Sequence, residues 1–134
     1  MYYIAIMEGA GRVWSLRVPD LPGCHGAGAT SDEAIADTIS AARDWAAHQT
    51  GKGIALRKPR SMQAVIADPD VEFDPATEWC ITIPVILDRA RPVKANLSLD
   101  AGLLEVIDAE AGKRGLTRSA FLVSAALDKI ERGA

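Results

Sequence analysis

The chain has 134 residues, 15 Lys and Arg against 18 Asp and Glu, a formal charge of −3, and 49% apolar residues. That length suits one ordinary domain or two small ones, and the mixture of apolar residues with both charge signs excludes a disordered tail. No apolar run approaches the ~20 residues that span a bilayer, and the start MYYIAIMEGAG lacks the basic flank of a signal peptide. The two cysteines, Cys24 and Cys80, make no disulfide framework and lead us to expect a reducing, cytoplasmic setting. Charge is unevenly spread. Residues 1–90 carry 8 basic against 12 acidic side chains, and residues 91–134 carry 7 against 6. The C-terminal part is therefore the one better able to approach nucleic acid.

Tyr2–Met7 reads as a strand, with Gly9-Ala10-Gly11 as its turn. Val13–Val18 alternates Val, Ser and Arg against Trp, Leu and Val, and reads as the returning strand of a hairpin. Pro19 ends the pairing because it has no N–H to give. The run Pro19–Gly28 holds two prolines and three glycines, and reads as a shaped loop around a short third strand. Thr30 and Glu33 fit a capping box, Thr30 as N-cap and Glu33 reaching back to its N–H. Ile35, Ile39, Ala42, Trp45 and Ala46 then mark the apolar face of a helix to about Thr50, with Gly51 as its stop.

A hairpin, then Pro-Asp-Leu-Pro-Gly-Cys, then a Gly-rich link to an Asp-Glu-Ala helix resembles the N-terminal domain of HicB-family antitoxins. The resemblance implies a small βββαβ unit with a partial RNase H-like fold over residues 1–87. A working nuclease of that fold needs carboxylates converging on two divalent metals, one of them from the first strand. Residues 2–7 hold neither Asp nor Glu, Glu8 falls at the expected turn, and Asp20 has no partner at a readable spacing. We therefore expect no catalytic residues.

Arg57, Lys58 and Arg60 read as a solvated loop ahead of a phosphate or partner contact, with Ile54 and Leu56 in a short extended piece before them. Ser61 caps a short helix to Ala67, which Asp68-Pro69 ends. Trp79–Leu87 is strongly β-prone, and Pro84 confines it to an edge or a bulge; in HicB-like proteins a strand here completes the sheet. The charged stretch 88–92, ending in Pro92, reads as the linker between domains.

In residues 93–134, Val93, Ala95, Leu97 and Leu99 alternate with Lys94, Asn96 and Ser98, the period of a half-buried strand. Asp100 is placed to cap a helix with Leu103, Ile107 and Ala111 on one face, closed by Gly115. Thr117 caps a second helix whose apolar face is Phe121, Leu122, Ala125, Ala126 and Ile130. A strand and two helices in about forty residues cannot bury their apolar faces alone. This order, with the Gly-x-Thr-Arg-Ser break, resembles the ribbon-helix-helix DNA-binding family. There two chains pair their strands into a ribbon that lies in the major groove. The resemblance implies that Lys94, Asn96 and Ser98 read base edges, and that Thr117, Arg118 and Ser119 hold the phosphate backbone at a helix N-terminus. The plain readings are a solvent face for the strand residues, capping for Thr117 and Ser119, and a solvated Arg118.

Adjacent Cys24 and His25, with Cys80 and His48 far off in sequence, lack the spacing of a zinc site, so no metal or other cofactor is expected. Ser15 and Ser31 have no triad to serve. Trp14, Trp45 and Trp79 read as core or interface anchors. Taken together, the two resemblances imply an α+β antitoxin. It would mask a HicA-like toxin, an mRNA interferase, through its N-terminal domain; the toxin-contacting residues are not readable. It would bind operator DNA as a homodimer, with further pairing into tetramers as the alternative, and repress its own operon. The acidic balance suits a basic, RNA-cleaving partner. The competing reading is a stand-alone repressor whose N-terminal domain senses a ligand or another protein.

Overall fold

In the computed structural model, residues 1–87 and 93–132 are described. The backbone divides into two compact units, Met1–Asp88 and Arg89–Ala134. The linker expected at 88–92 lies outside the described residues.

The first unit is built on a four-stranded antiparallel sheet of β1 (Tyr2–Ala10), β2 (Val13–Arg17), β3 (His25–Gly28) and β4 (Glu78–Pro84), in the order β3-β2-β1-β4. β1 has a strand on each side, and Tyr3, Ile4, Ala5 and Ile6 are all buried. An unbroken apolar run is what a strand covered on both faces requires. One face packs under α1 (Ser31–Gly51), where Tyr3, Ala5, Leu16 and Ile83 meet Ala34, Ile39, Ala42 and Ala46. The helix lies directly on β3, because a Cβ on Gly26 would sit 2.6 Å from the Thr38 backbone nitrogen.

Several local expectations shift. β1 continues through Gly9 and Ala10, so the turn is Gly11-Arg12, with Gly11 at φ +61°. That is the two-residue hairpin that strand twist favours. Thr30 caps α1 by accepting the Glu33 N–H at 3.1 Å, but the Glu33 carboxylate reaches the Ala29 N–H at 3.0 Å and not that of Thr30. The helix continues past Thr50 to Gly51, and the left-handed residue that follows it is Gly53, at φ +75°. The third strand, the short helix α2 (Met62–Ala67) capped by Ser61, and the edge position of β4 with Pro84 as its last residue all match the sequence reading. Residues 54–56 lie in neither helix nor strand.

The second unit contains α3 (Ala101–Lys113) and α4 (Arg118–Arg132). Asp100 accepts the Gly102 and Leu103 N–H groups. At the other end of α3, the Gly115 N–H bonds the Gly112 carbonyl and the Leu116 N–H that of Ala111, with Gly115 at φ +67°. That pair of bonds is a Schellman closure. The expected strand Val93–Leu99 forms no ladder within one chain. A strand exists through hydrogen bonds to a neighbour, and the rest of the described unit is helical and offers none. Among the described residues, four strands in one sheet and four helices make the fold α+β, as expected.

Candidate nucleic-acid interface and partner-binding domain

All six residues expected at the nucleic-acid interface are exposed. Asn96, Ser98, Arg118 and Ser119 line one hollow of about 590 Å³, together with Leu97, Leu99, Leu104 and Leu122. Lys94 and Thr117 are not part of its lining. The Thr117 hydroxyl accepts the Ala120 N–H at 3.1 Å, so Thr117 is an N-cap. The two N–H groups ahead of Ala120, on Arg118 and Ser119, have no acceptor within their own helix, as at any helix start.

Arg118 is not the solvated side chain of its plain reading. Its Nε and one terminal nitrogen donate to the two oxygens of Asp108 on α3, each at 2.8 Å. The pair is about half-exposed, 52% for Arg118 and 45% for Asp108. The guanidinium holds the Asp108 carboxyl below the usual carboxylate range. Ten residues separate the partners, a spacing that only the α3–α4 turn brings together.

The apolar faces of this unit are largely uncovered. Ile107 and Ala111 are buried, but Leu103, Val106, Val123 and Ile130 are exposed and no residue of α4 is buried. Of the expected α4 core face, Phe121 and Leu122 are only half-buried and Ala125, Ala126 and Ile130 are exposed within one chain. α4 nevertheless segregates polar from apolar residues in the manner of a packed amphipathic helix.

In the first unit, the Pro-Asp-Leu-Pro-Gly-Cys loop is tied from below. Asp20, 1% exposed, accepts the Arg60 backbone N–H at 3.0 Å and is paired with the Arg60 guanidinium at 2.7 Å. Arg60 also bonds Asp68 at 2.7 Å, holding that carboxyl below its ordinary range. The Tyr3 hydroxyl donates to the Arg57 carbonyl at 2.6 Å, and the Trp45 indole N–H to the Pro22 carbonyl at 3.1 Å. These contacts correct two readings. Asp20 has partners, forty residues away, and Arg60 is a structural clamp, while Arg57 and Lys58 of the same cluster stay exposed as the loop reading expects. Burial raises the Cys24 thiol to about 11, so at neutral pH it is an inert core group.

The longer β1 also places Glu8 on the first strand, opposite Glu78 of β4, and not at a turn. Glu8, Glu72, Asp74 and Glu78 line a hollow of about 520 Å³ with Arg17 among them. Arg17 binds Glu78 at 2.5 Å and the Glu72 carbonyl, and the Asp74 N–H donates to Glu78 at 2.8 Å. Glu78 is thus held ionised by a cation and a backbone donor. Among the described residues no three His, Cys, Asp or Glu side chains are grouped as a metal would need. Among the same residues no helix is long and apolar enough to cross a membrane.

Trp14 and Trp79 stack across β1 with ring centroids 5.9 Å apart, and Trp79 remains 49% exposed. Trp79 belongs to β4, whose outer edge has no strand beside it among the described residues. At the opposite edge, Asp37 accepts the Ala27 N–H of β3 at 2.9 Å. One edge of the sheet is therefore blunted by a carboxylate and the other carries an exposed tryptophan.

A loop-clamped α+β unit joined to a helical pair with uncovered apolar faces is the architecture of a protein that works through partners. The family described as HicB-like antitoxin of bacterial toxin–antitoxin systems matches residues 2–126, and this chain belongs to it. The crystal structure of the Burkholderia pseudomallei antitoxin HicB is 30% identical with a TM-score of 0.54, covering 97% of this chain and 98% of that one. The N-terminal domain of that antitoxin, solved separately, is 23% identical with a TM-score of 0.51 over 65% of this chain and 100% of that one. A HicA3–HicB3 toxin–antitoxin complex is 20% identical with a TM-score of 0.50, covering 66% of this chain and 100% of that one, and shares the fold. No curated protein sequence matches the chain.

Proposed function

We propose that this antitoxin neutralises a HicA-like mRNA interferase by covering its active site with residues 1–87, a partial RNase H-like domain. Residues 93–134 form a ribbon-helix-helix module that dimerises on operator DNA and represses the operon. The observation that carries this reading is the state of the second unit. α4 is amphipathic with no buried residue, and the exposed alternation Val93–Leu99 precedes it. Exposed apolar surface of this extent needs a partner. A second copy supplies both the missing strand neighbour and the missing cover, so folding and pairing are one event. In the paired ribbon Lys94, Asn96 and Ser98 face the bases, while the α4 N-terminus with Thr117, Arg118 and Ser119 meets the backbone. The chain itself does no chemistry, and the toxin is blocked by occlusion.

The test is an anisotropy titration of the purified chain against its own upstream DNA, beside a variant with Lys94, Asn96 and Ser98 replaced by alanine. The wild type binds specifically, and the variant stays dimeric but loses specificity. Failure of the wild type to bind, alone or with its neighbouring gene product, would falsify the repressor half. Co-purification with a small basic toxin encoded beside it supports the antitoxin half; loss of toxin inhibition with repression intact favours the stand-alone repressor.

A further inference from the structure

We propose that Asp108 is a built-in antagonist of phosphate binding: it occupies the edge of the Arg118 guanidinium that a DNA phosphate would otherwise take. This rests on the operator-binding reading above and deepens it. The Nε and a terminal nitrogen of Arg118 both point at Asp108, each at 2.8 Å. That two-donor fork is the one that grips phosphate bidentately, so carboxylate and phosphate compete for it. Both partners are about half-exposed, and an ion pair in so polar a setting is weak enough to exchange. The neighbouring charges are already engaged. Arg114 and Lys113 are both paired with Glu110, and Arg114 also lies over the Phe121 ring at 5.5 Å. Arg118 alone among these cations lines the hollow shared with Asn96, Ser98 and Ser119. While Arg118 stays on Asp108 it neutralises no phosphate and displaces no condensed cation from the DNA. Turning to phosphate costs it the ion pair and leaves Asp108 bare beside a polyanion. The pair thus weakens operator binding, a setting suited to a repressor that must let go.

The experiment uses the full chain and its upstream DNA, with dimeric state checked by ultracentrifugation. Asp108→Asn is expected to bind about fivefold tighter per protomer, and so about 25-fold for a dimer. Its plot of log affinity against log salt steepens by about 0.9 per protomer, the value of one added phosphate contact. Asp108→Glu, which keeps the carboxylate, stays near wild type. The decisive comparison is the Arg118→Ala background, in which Asp108→Asn has lost its effect. A gain that persists without Arg118 means a general charge effect and overturns the proposal, as does an Asp108→Asn variant no tighter than wild type. If the wild type itself binds no operator, the DNA-binding reading falls first and the proposal with it. That result is distinct from a wild type that binds and a variant that does not differ.

Discussion

The two units solve the burial problem in opposite ways. Residues 1–87 close their own core, with four strands, α1 and a loop clamped by Asp20 and Arg60. Residues 93–132 bury only Ile107 and Ala111 and leave Leu103, Val106, Val123 and Ile130 in solvent. The first unit has enough chain to cover both faces of a strand. The second has one hairpin of helices and a segment without a neighbour, too little for a closed core. On the reading proposed above it takes that cover from a second copy, and its stability then depends on concentration while that of the first unit does not.

The largest expected break in this contrast comes from Leu122→Asp on α4. Calorimetry should show the transition of the second unit lost and sedimentation should give a monomer, while the first unit melts unchanged. A variant that stays dimeric would mean that α4 is not the shared surface. Dilution of the wild type sharpens the same point: the transition of residues 93–132 falls in temperature and that of residues 1–87 stays put.

Within the first unit, Gly26→Ala forces a Cβ to 2.6 Å from the Thr38 backbone, so α1 must lift from β3. Overpacking of that kind costs about 3 kcal/mol, readable as a lower urea midpoint with unchanged slope. Asp20→Ala should lower the melting temperature by about 10 °C, because it strands the Arg60 guanidinium and backbone N–H together. A similar loss for Arg60→Ala, not additive with the first, would identify the clamp as one unit.

A smaller effect follows from Glu78. Its bond to Arg17 lowers its affinity for protons below the ordinary glutamate value of 4.5. A depressed folded value means the stabilisation is full above about 4.5 and fades as pH falls through the folded value. The melting-temperature advantage of wild type over Glu78→Gln should therefore be constant from pH 8 to about 5 and close as pH falls further, through the depressed folded value. Smallest of all is Glu110→Gln, whose ion pairs with Lys113 and Arg114 are exposed; a shift of about 1 °C or less is expected.

What the sequence by itself determined is the local grammar. The caps at Thr30, Ser61, Asp100 and Thr117, the closure at Gly115, the edge strand marked by Pro84 and the apolar periods all depend on residues within a few positions of one another. The Pro-Asp-Leu-Pro-Gly-Cys motif also carried the family, although not the reason for its acidic residue. Only the tertiary structure decided that reason. Asp20 meets Arg60 across forty residues, Arg17 meets Glu78 across sixty-one, and Asp108 meets Arg118 around a turn. Nothing in the spacing of such pairs distinguishes them from solvated charges. Their partners are chosen by sheet order and helix placement, which arise from burial summed over the whole unit. The short-range signals survive in a list of residues, and the long-range ones exist only once the chain has closed on itself.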